Sequence, residues 1–386
     1  MIALSLASRC RPCYSIPRIQ RVALSTYKSI IRDVDKLSPR ISPHYVASVN
    51  RTGEGSDESL ETSTSLYQMV WDQPPRNIYI IKKPWKSHVR EAMVGLINYL
   101  TKTYKDVNII VESDVADEIE NDLDAVLYTG SAASCQSKTD LLITLGGDGT
   151  ILHATSLYSH GQVPPVLSFS LGTLGFLLPF DIAESKQAFH LVYASQAKVI
   201  NRARLRCEAY HDRRMHAPKT DKQLISVTHA MNDISIHRGA DPHLTHLDIY
   251  ANGQFVTRGI SDGVVISTPT GSTAYSLSCG GSMVHPSVPC TLLTPICPRS
   301  LSFRPLIFPL STKIEVRISD QSRGQNAELS IDGLRKGVMG PGDSIFVGPE
   351  KEGHNTGIWC VVKGAGDWMS NLNNLLGFNA LFGDKK

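Results

Sequence analysis

The 386-residue sequence contains no apolar run that approaches the roughly 18 residues needed to span a membrane. Its eight cysteines are sparse and irregularly spaced, which excludes a disulfide-stapled scaffold. No second pair stands at zinc-site spacing from the Cys10–Cys13 pair, so reduced, mostly buried thiols are expected. A formal net charge of +3 gives no indication of nucleic-acid binding. We therefore predict no membrane span, no protein-bound metal and no nucleic-acid partner.

Two common nucleotide-binding motifs are also missing. The P-loop pattern GxxxxGK[ST] does not occur, and no GxGxxG follows an early strand. The first absence excludes a P-loop phosphotransferase, and the second argues against a dinucleotide-dependent dehydrogenase. The composition is that of an ordinary globular protein, with 41% hydrophobic and 19% charged residues, and the length suits two domains.

The N-terminal segment has no acidic residue before Asp33. Residues 1–32 contain six Arg or Lys residues and five serines, the composition of a mitochondrial transit peptide. The alternative is a disordered basic tail with no targeting role. Residues 51–65 are polar and rich in Gly, Ser and Thr, so residues 33–75 are expected to be a linker or loop.

Residues 76–200 alternate strand patterns with helix patterns. Ile78–Ile81 and Val107–Val111 are short apolar runs. Large side chains recur between them at helical spacing, namely Met93, Leu96, Ile97, Leu100 and Tyr104. This alternation predicts an α/β nucleotide-binding domain with a parallel sheet. Ligands bind such sheets beyond the carboxyl ends of the strands.

The apolar run Leu141–Leu145 leads directly into Gly146, Gly147, Asp148, Gly149 and Thr150. Three glycines in four positions let backbone N–H groups approach and bind an anion such as phosphate. Asp148, a carboxylate where phosphate is expected, then suits the role of base for an attacking hydroxyl. The alternative is a plain strand-end turn in which Asp148 caps a helix.

A second glycine-bearing turn follows the Val166–Phe169 strand. It reads Leu-Gly-Thr-Leu-Gly-Phe-Leu over residues 171–177. Because it also follows the carboxyl end of a predicted strand, it is expected to lie beside the first turn.

The pattern changes after about residue 200. Helical periodicity fades, and short β-rich runs separated by turn residues take over. Asn252-Gly253 between two such runs is a strong hairpin signal. We predict an all-β, sandwich-like domain over residues 201–365. Residues 366–386 are expected to form a C-terminal tail, with a helix that could pack on the α/β domain.

Two polar stretches stand out in this β-rich part. Asn232-Asp233 places an amide beside a carboxylate, which suits a ribose or base edge, although such a dipeptide is more often a turn. Residues 261–281 begin Ser-Asp-Gly and are dense in Ser and Thr, with a central Thr268–Ser278 run. Small hydroxyl side chains with Gly and Pro predict a polar pocket wall that a planar ligand can approach closely.

These motifs, in this order and spacing, resemble the NAD kinase family. Gly-Gly-Asp-Gly-Thr alone is shared with diacylglycerol kinases, sphingosine kinases and phosphofructokinases, whereas Thr-Pro-Thr-Gly-Ser-Thr-Ala-Tyr-Ser-Leu-Ser after Ser-Asp-Gly is far more specific. The resemblance covers about residues 76–365. With the transit-like N-terminus, the chain is most similar to the fungal mitochondrial NADH kinase branch.

The resemblance implies transfer of phosphate from ATP to the adenosine-ribose 2′-hydroxyl of NAD or NADH, with Mg²⁺ carried on ATP. It implies that Asp148 is the general base and that the phosphates are held by Gly146, Gly147, Gly149 and Thr150. It assigns the acceptor nucleotide to Asn232 and Asp233. It assigns the dinucleotide pocket to Asp262, Thr273, Ala274, Tyr275, Ser276, Leu277 and Ser278. The resemblance also implies a homo-oligomer in the mitochondrial matrix and a substrate preference for NADH.

Two positions depart from the family pattern. Asp233 stands where the family usually has Glu, and Ile260 stands where bacterial members often have a basic residue. Two other functions are weighed against the kinase. A lipid kinase of the wider superfamily would not need the hydroxyl-rich run, and a non-catalytic NAD(P)-binding regulator would not need Asp148.

Overall fold

The chain forms two different architectures. One contains strands that are apolar and buried along their whole length, and the other contains strands in which buried and exposed residues alternate. The structure, a computed structural model, describes residues 31–47, 66–158, 161–172, 175–211, 222–324, 326–350 and 356–376. In chain order the strands are β1 (Ile31–Asp33), β2 (His44–Ala47), β3 (Tyr67–Val70), β4 (Asn77–Lys82), β5 (Asn108–Ile110), β6 (Leu127–Thr129), β7 (Leu141–Gly146), β8 (Val166–Ser170), β9 (Phe180–Asp181), β10 (Lys198–Arg202), β11 (Leu205–His211), β12 (Gln223–Ala230), β13 (Asp233–His237), β14 (Thr245–Ala251), β15 (Gln254–Ser261), β16 (Gly263–Ser267), β17 (Cys290–Ile296), β18 (Leu306–Pro309), β19 (Ile314–Ile318), β20 (Ala327–Ile331), β21 (Leu334–Met339), β22 (Ser344–Pro349) and β23 (Ile358–Val362). The α-helices are α1 (Ser87–Thr103), α2 (Ser113–Ile119), α3 (Ala132–Lys138), α4 (Asp148–Ser156), α5 (Ser185–Tyr193), α6 (Tyr275–Ser278) and α7 (Asp367–Leu376).

The first sheet has eleven strands in the order β1-β6-β5-β4-β7-β8-β23-β10-β3-β2, with β9 beside β8. The first six strands in this order, β1, β6, β5, β4, β7 and β8, are parallel to their neighbours, and β23 is parallel to β8. The strands β10, β3 and β2 then add antiparallel pairs. The sheet is therefore mixed, with the predicted parallel part at its centre.

Helices cover both faces of this sheet. Every residue of β4, β7 and β8 is buried, as expected for strands covered on both sides. One face packs on α1, whose buried side chains recur at helical spacing and include Met93 and Ile97. The other face packs on α4 through Ile151 and Ala154. The α/β class predicted from the sequence is confirmed.

The expected linker at residues 33–75 is structured where the structure describes it. β1, β2 and β3 all join the first sheet, and the buried side chains of Val34 and Met69 belong to its cores. The linker prediction is therefore wrong for residues 33–47 and 66–75. The polar residues 51–65 and the transit-like segment up to residue 30 lie outside the described residues.

The β-rich part is a sandwich of two antiparallel six-stranded sheets. Their orders are β12-β11-β22-β19-β14-β15 and β18-β17-β16-β13-β20-β21. Apolar side chains from both sheets form one core, with Leu247 and Val316 from the first sheet and Ile234 and Ile266 from the second. The Asn252-Gly253 hairpin turn lies between β14 and β15, and both residues have positive φ, as a type I′ turn requires. The sandwich prediction is confirmed.

The chain returns to the first sheet after the sandwich. β23, which the sequence placed in the β-rich domain, pairs with β8 and β10 instead. The helix α7 follows, and its Trp368 ring lies 5.0 Å from the ring of His285 in the sandwich part. A small cavity beside α7 is also lined by Leu66 and Ile200 of the first domain. The tail helix therefore contacts the sandwich part and lines a cavity shared with the first domain.

Candidate active site

The glycine-rich turn forms where β7 ends and α4 begins. A Cβ at Gly146 would overlap Thr150 Oγ1 and would lie 2.8 Å from Lys83 Cβ, so only glycine fits this junction. A Cβ at Gly147 or Gly149 would meet nothing within 4 Å. The turn is thus tightly packed on its protein side at Gly146 and open at Gly147 and Gly149.

The open side of the turn faces a cleft of about 520 Å³. Lys83, whose N–H donates to the carbonyl of Leu145 at 2.8 Å, lies exposed beside it. The ammonium of Lys82 is buried and lies 2.8 Å from a carboxylate oxygen of Glu118. The cleft is lined by Lys82, Lys83, Pro84, Trp85, Glu112, Asp114, Val115, Glu118, Gly147, Gly149, Thr150 and His153. The exposed Lys83 is therefore a cation next to a glycine turn that can bind phosphate.

The carboxylate of Asp148 is held by the second glycine-bearing turn. The backbone N–H groups of Phe176 and Leu177 donate to its two oxygens at 3.2 and 3.1 Å. A Cβ on Gly175 would overlap this carboxylate. Burial raises the pKa of Asp148, whereas these two hydrogen bonds and the charge of Arg202 lower it. The expectation that the two turns lie side by side is confirmed.

Arg202 connects the glycine turn to the hydroxyl-rich run. Its side chain is buried at the end of β10, and its Nη1 donates to Thr270 Oγ1 at 3.2 Å. Its positive charge also acts on Asp148. A buried guanidinium with a partly paired fork is a site at which negative charge can be stabilised.

The backbone of the Asn232-Asp233 pair is held by the carboxylate of Asp332. Asp332 accepts hydrogen bonds from the N–H groups of Met231, Asn232 and Asp233 at 2.9, 2.7 and 3.1 Å. Burial, followed by the charge of Asp332, raises the pKa of Asp233 to about 7. The amide oxygen of Asn232 is buried and has no hydrogen-bond partner in the described part of the chain. The turn thus presents an unpaired acceptor and a carboxyl group that titrates near neutrality.

The pairing of β13 with β16 brings the hydroxyl-rich run onto this turn. The Thr268 N–H donates to the Asn232 carbonyl at 2.9 Å, and Thr268 Oγ1 donates to the Met231 carbonyl at 2.6 Å. A Cβ on Gly271 would overlap the Asn232 carbonyl, so the backbones touch. Two stretches separated by about 36 residues in the sequence therefore form one surface.

The remaining pocket residues divide into two groups. Tyr275 is 38% exposed, and the carboxylates of Asp233 and Asp262 are near enough to contribute to the raised pKa of its phenol, after burial and two nearby thiols. Asp262 accepts from Arg238 Nε at 2.6 Å. By contrast, the Ser276 hydroxyl is fully buried against Thr294 Oγ1 at 2.8 Å. The other members of the run lie at or near the surface, with Thr273, Ala274 and Leu277 half-buried and Ser278 exposed.

The two halves of the site meet between the domains. Thr155 of α4 lies 4.0 Å from the Met231 sulfur, one residue before Asn232. A cavity of about 220 Å³ between α4 and the sandwich is lined by Gly149 and Asp332. The open glycines of the first turn, a buried carboxylate and a polar wall thus converge at one interdomain position.

Comparisons with known proteins agree with this arrangement. The model of the ATP-NAD kinase N-terminal domain matches residues 56–197, and that of the ATP-NAD kinase C-terminal domain matches residues 231–351. The chain belongs to the ATP-NAD kinase family. It is 45% identical over 370 residues to the mitochondrial NADH kinase of Saccharomyces cerevisiae, covering 86% of this chain and 87% of that protein. It is 43% identical over 361 residues to the mitochondrial NADH kinase of Schizosaccharomyces pombe, covering 93% and 88%.

A solved structure extends the likeness to three dimensions. The crystal structure of yeast NADH kinase complexed with NADH matches with a TM-score of 0.80 at 46% sequence identity, covering 92% of this chain and 99% of that chain. Membership of the ATP-NAD kinase family accounts for both the mixed sheet and the sandwich.

Four residues of this candidate site were not singled out individually from the sequence. Lys83 and Arg202 each lie at a strand end of the first sheet, Gly175 lies in the second glycine turn, and Asp332 lies in the β20–β21 turn. Lys83 could have been identified from the sequence, because it directly follows an apolar strand and ligands bind beyond the carboxyl ends of such strands. Asp332, in an Asp-Gly turn with positive φ at both residues, looks like any other hairpin turn in the sequence.

Two kinds of structural feature are absent from the described residues. None of the helices there combines the length and the apolar character that crossing a membrane requires. In the same ranges, no three His, Cys, Asp or Glu side chains are grouped so that they could hold a metal ion.

Proposed function

We propose that this chain transfers the terminal phosphate of ATP to the 2′-hydroxyl of the adenosine ribose of NAD(H), producing NADP(H). The observation that carries the proposal is the Asp148 carboxylate, which two backbone N–H groups orient at the start of α4, beside glycines with open space around them. A carboxylate at this place suits an acceptor hydroxyl, whereas the open glycines suit phosphate.

In the proposed reaction the 2′-oxygen attacks the γ-phosphorus of ATP, and a new O–P bond forms as the bond to the ADP oxygen breaks. The hydroxyl proton passes to Asp148. Phosphoryl transfer needs positioning and charge stabilisation more than covalent help from the protein. Burial of Asp148 favours proton acceptance, since it raises the pKa of the carboxyl group.

The phosphates of ATP are assigned to Gly146, Gly147, Gly149 and Thr150, with Lys83 as the nearby cation. Mg²⁺ carried on ATP would supply charge neutralisation at the phosphates. The exposed Asp114 carboxylate in the cleft makes no ion pair with another described residue, so it would be available to help hold Mg²⁺ on the triphosphate. Lys83 and the start of α4 neutralise the remaining charge on the phosphates.

The dinucleotide is assigned to the surface formed by Asn232, Asp233, Asp262 and the run Thr273, Ala274, Tyr275, Ser276, Leu277 and Ser278. The unpaired amide oxygen of Asn232 is placed to accept a hydrogen bond from a ribose hydroxyl or a base amino group. Asp233 is one methylene shorter than the family's usual Glu, and it stands at the start of β13, paired with Ser267 of β16. Within the run, Tyr275 is the side chain best placed to touch a ligand, while Ser276 supports the wall from behind.

Three finer properties belong to the same proposal. A preference for NADH follows the substrate named in the two fungal relatives. Location in the mitochondrial matrix follows their mitochondrial names and the basic, acid-free residues 1–32. Assembly into a homo-oligomer is supported by exposed apolar side chains on adjoining edges of the sandwich, where Phe255 is 58%, Leu301 82% and Ile307 56% exposed.

The test is an assay of the purified protein with ATP and Mg²⁺, with NAD and NADH offered in parallel and NADP(H) measured. We expect product from both dinucleotides and faster turnover with NADH. Asp148→Asn should bind dinucleotide and lose most turnover, because the amide cannot accept the proton. Equal rates with NAD and NADH would remove the substrate preference, and dinucleotide binding without product would support a non-catalytic regulator instead.

A further inference from the structure

Trp85 is the most exposed large hydrophobic side chain in the described residues, with 93% of its surface accessible to solvent. Its backbone has φ of +62°, a left-handed conformation that bulky residues rarely adopt. Both properties disfavour tryptophan at this position in a free protein, since glycine, which has no Cβ, would avoid both costs. Strained, exposed aromatic residues of this kind occur where a ligand completes the environment.

The three other tryptophans pack within the protein. Trp71 is buried, the buried Trp359 stacks on Tyr45 with 3.8 Å between ring centroids, and Trp368 contacts His285. Packing therefore explains why each of these three positions is a tryptophan. Trp85 has no ring contact with another described residue.

The position of Trp85 is set by the centre of the first sheet. It follows β4, which pairs in parallel with β7, and the hydrogen bond from the Lys83 N–H to Leu145 holds the connecting backbone at 2.8 Å. Trp85 therefore lines the same 520 Å³ cleft as Gly147, Gly149 and Thr150. A cleft of this size lies in the range that accommodates a nucleotide.

We propose that the Trp85 indole stacks on the purine base of the phosphate donor. This inference rests on the proposed kinase function, because it takes the triphosphate to lie at the glycine turn. In this arrangement the glycines and Lys83 bind the phosphates of the donor, and the exposed indole of Trp85 contacts its base.

The chemistry of the cleft favours stacking as the means of base recognition. Lys82 is engaged with Glu118, and Glu112 lies 3.2 Å from His153, so these side chains are already paired with each other. The indole face needs no hydrogen-bond partner to hold a planar ring. Stacking of a base on an aromatic side chain accounts for affinity differences of about ten-fold or more.

The experiment compares Trp85→Ala and Trp85→Phe with the wild type in steady-state kinetics. Trp85→Ala should raise the KM for ATP about ten-fold or more and leave the KM for NADH within about two-fold. Trp85→Phe should restore much of the ATP affinity because it keeps an aromatic face. Val46→Ala, which shortens an exposed apolar side chain of β2 at the edge of the first sheet, is the control and should leave both KM values unchanged.

A competitor without a base separates stacking from phosphate binding. Inorganic tripolyphosphate should inhibit the wild type and Trp85→Ala equally, whereas ADP should inhibit Trp85→Ala more weakly. ADP should also quench the tryptophan fluorescence of the wild type, and Trp85→Phe should remove most of that quenching.

Several outcomes would overturn the assignment. An unchanged KM for ATP in Trp85→Ala would reject it, and so would a selective rise in the KM for NADH, which would place the dinucleotide on this ring. A change of oligomeric state by light scattering in Trp85→Ala would instead make the ring a contact between copies. Each of these results leaves the kinase proposal intact so long as the wild type forms NADP(H) and Asp148→Asn does not.

Discussion

Replacing Gly175 with alanine would place a methyl group against the carboxylate of Asp148. The added Cβ would lie 2.7 Å from the carboxylate carbon and 2.9 Å from Oδ2, and it would overlap Oδ1. Gly175 does not have a positive φ, so alanine suits the backbone itself and the contact with Asp148 is the main effect. Because ordinary van der Waals contact begins at about 3.4 Å, the carboxylate must move by on the order of 1 Å.

This displacement has two consequences. A shift of about 1 Å in a reacting group costs roughly a hundred-fold in rate, so kcat for NADPH formation should fall by about that factor. The hydrogen bonds from Phe176 and Leu177 would also be weakened, which should lower the free energy of unfolding by about 1–3 kcal/mol. The KM values for ATP and NADH should change little, since neither assigned binding surface contains Gly175.

The assay is steady-state NADPH formation together with urea-induced unfolding. Gly95→Ala is the control, because a Cβ at this position in α1 would meet nothing within 4 Å. The double variant with Asp148→Asn should be no slower than Asp148→Asn alone, since both changes act through one carboxylate. A wild-type kcat for Gly175→Ala would refute the idea that this turn positions Asp148 for the reaction.

Three further predictions concern the charged groups of the site. The pKa of Asp233 is about 7 in the folded protein and about 3.9 when unfolded, so between these pH values the folded state holds a proton that the unfolded state releases, and the wild type should lose stability as pH rises from about 4 to about 7. Asp233→Asn should not show this loss, which thermal unfolding across the pH range measures. Arg202→Met should raise the pKa of Asp148 and move the acid limb of the kcat/KM profile to higher pH, whereas Arg202→Lys should keep the limb near its original position. Asp332→Ala should lower the free energy of unfolding by about 1–3 kcal/mol or more in urea and raise the KM for NADH, because three backbone N–H groups lose their acceptor and Asn232 is released.

Each of these predictions has a result that contradicts it. Equal pH dependence of unfolding in the wild type and Asp233→Asn would show that Asp233 does not hold the extra proton. An acid limb that shifts equally in Arg202→Met and Arg202→Lys would rule out a simple charge effect of Arg202. Unchanged stability and unchanged KM in Asp332→Ala would show that the Asn232 turn does not depend on that carboxylate.

Strong local patterns predicted most of the two architectures. Fully apolar runs such as Leu141–Leu145 and helical repeats such as that of α1 are visible in the sequence because burial on one or both faces constrains residue type at each position. β2 was missed because its residues are mostly exposed at the edge of the sheet, so their types follow no period. β23 was recognised as a strand, but nothing local reveals that it pairs with β8 rather than with strands of the sandwich.

The glycine turn, Asp148 and the hydroxyl-rich run were recognisable from the sequence alone, because close approach to phosphate and to a planar ligand restricts side-chain size over several consecutive positions. Those restrictions are local, and a sequence displays them directly. The residues that hold the glycine turn, Asp148 and the hydroxyl-rich run in place were revealed only by the tertiary structure. Gly175, Arg202 and Asp332 act through contacts that join distant segments, and a single glycine, arginine or aspartate carries no mark of the partner that the fold brings to it.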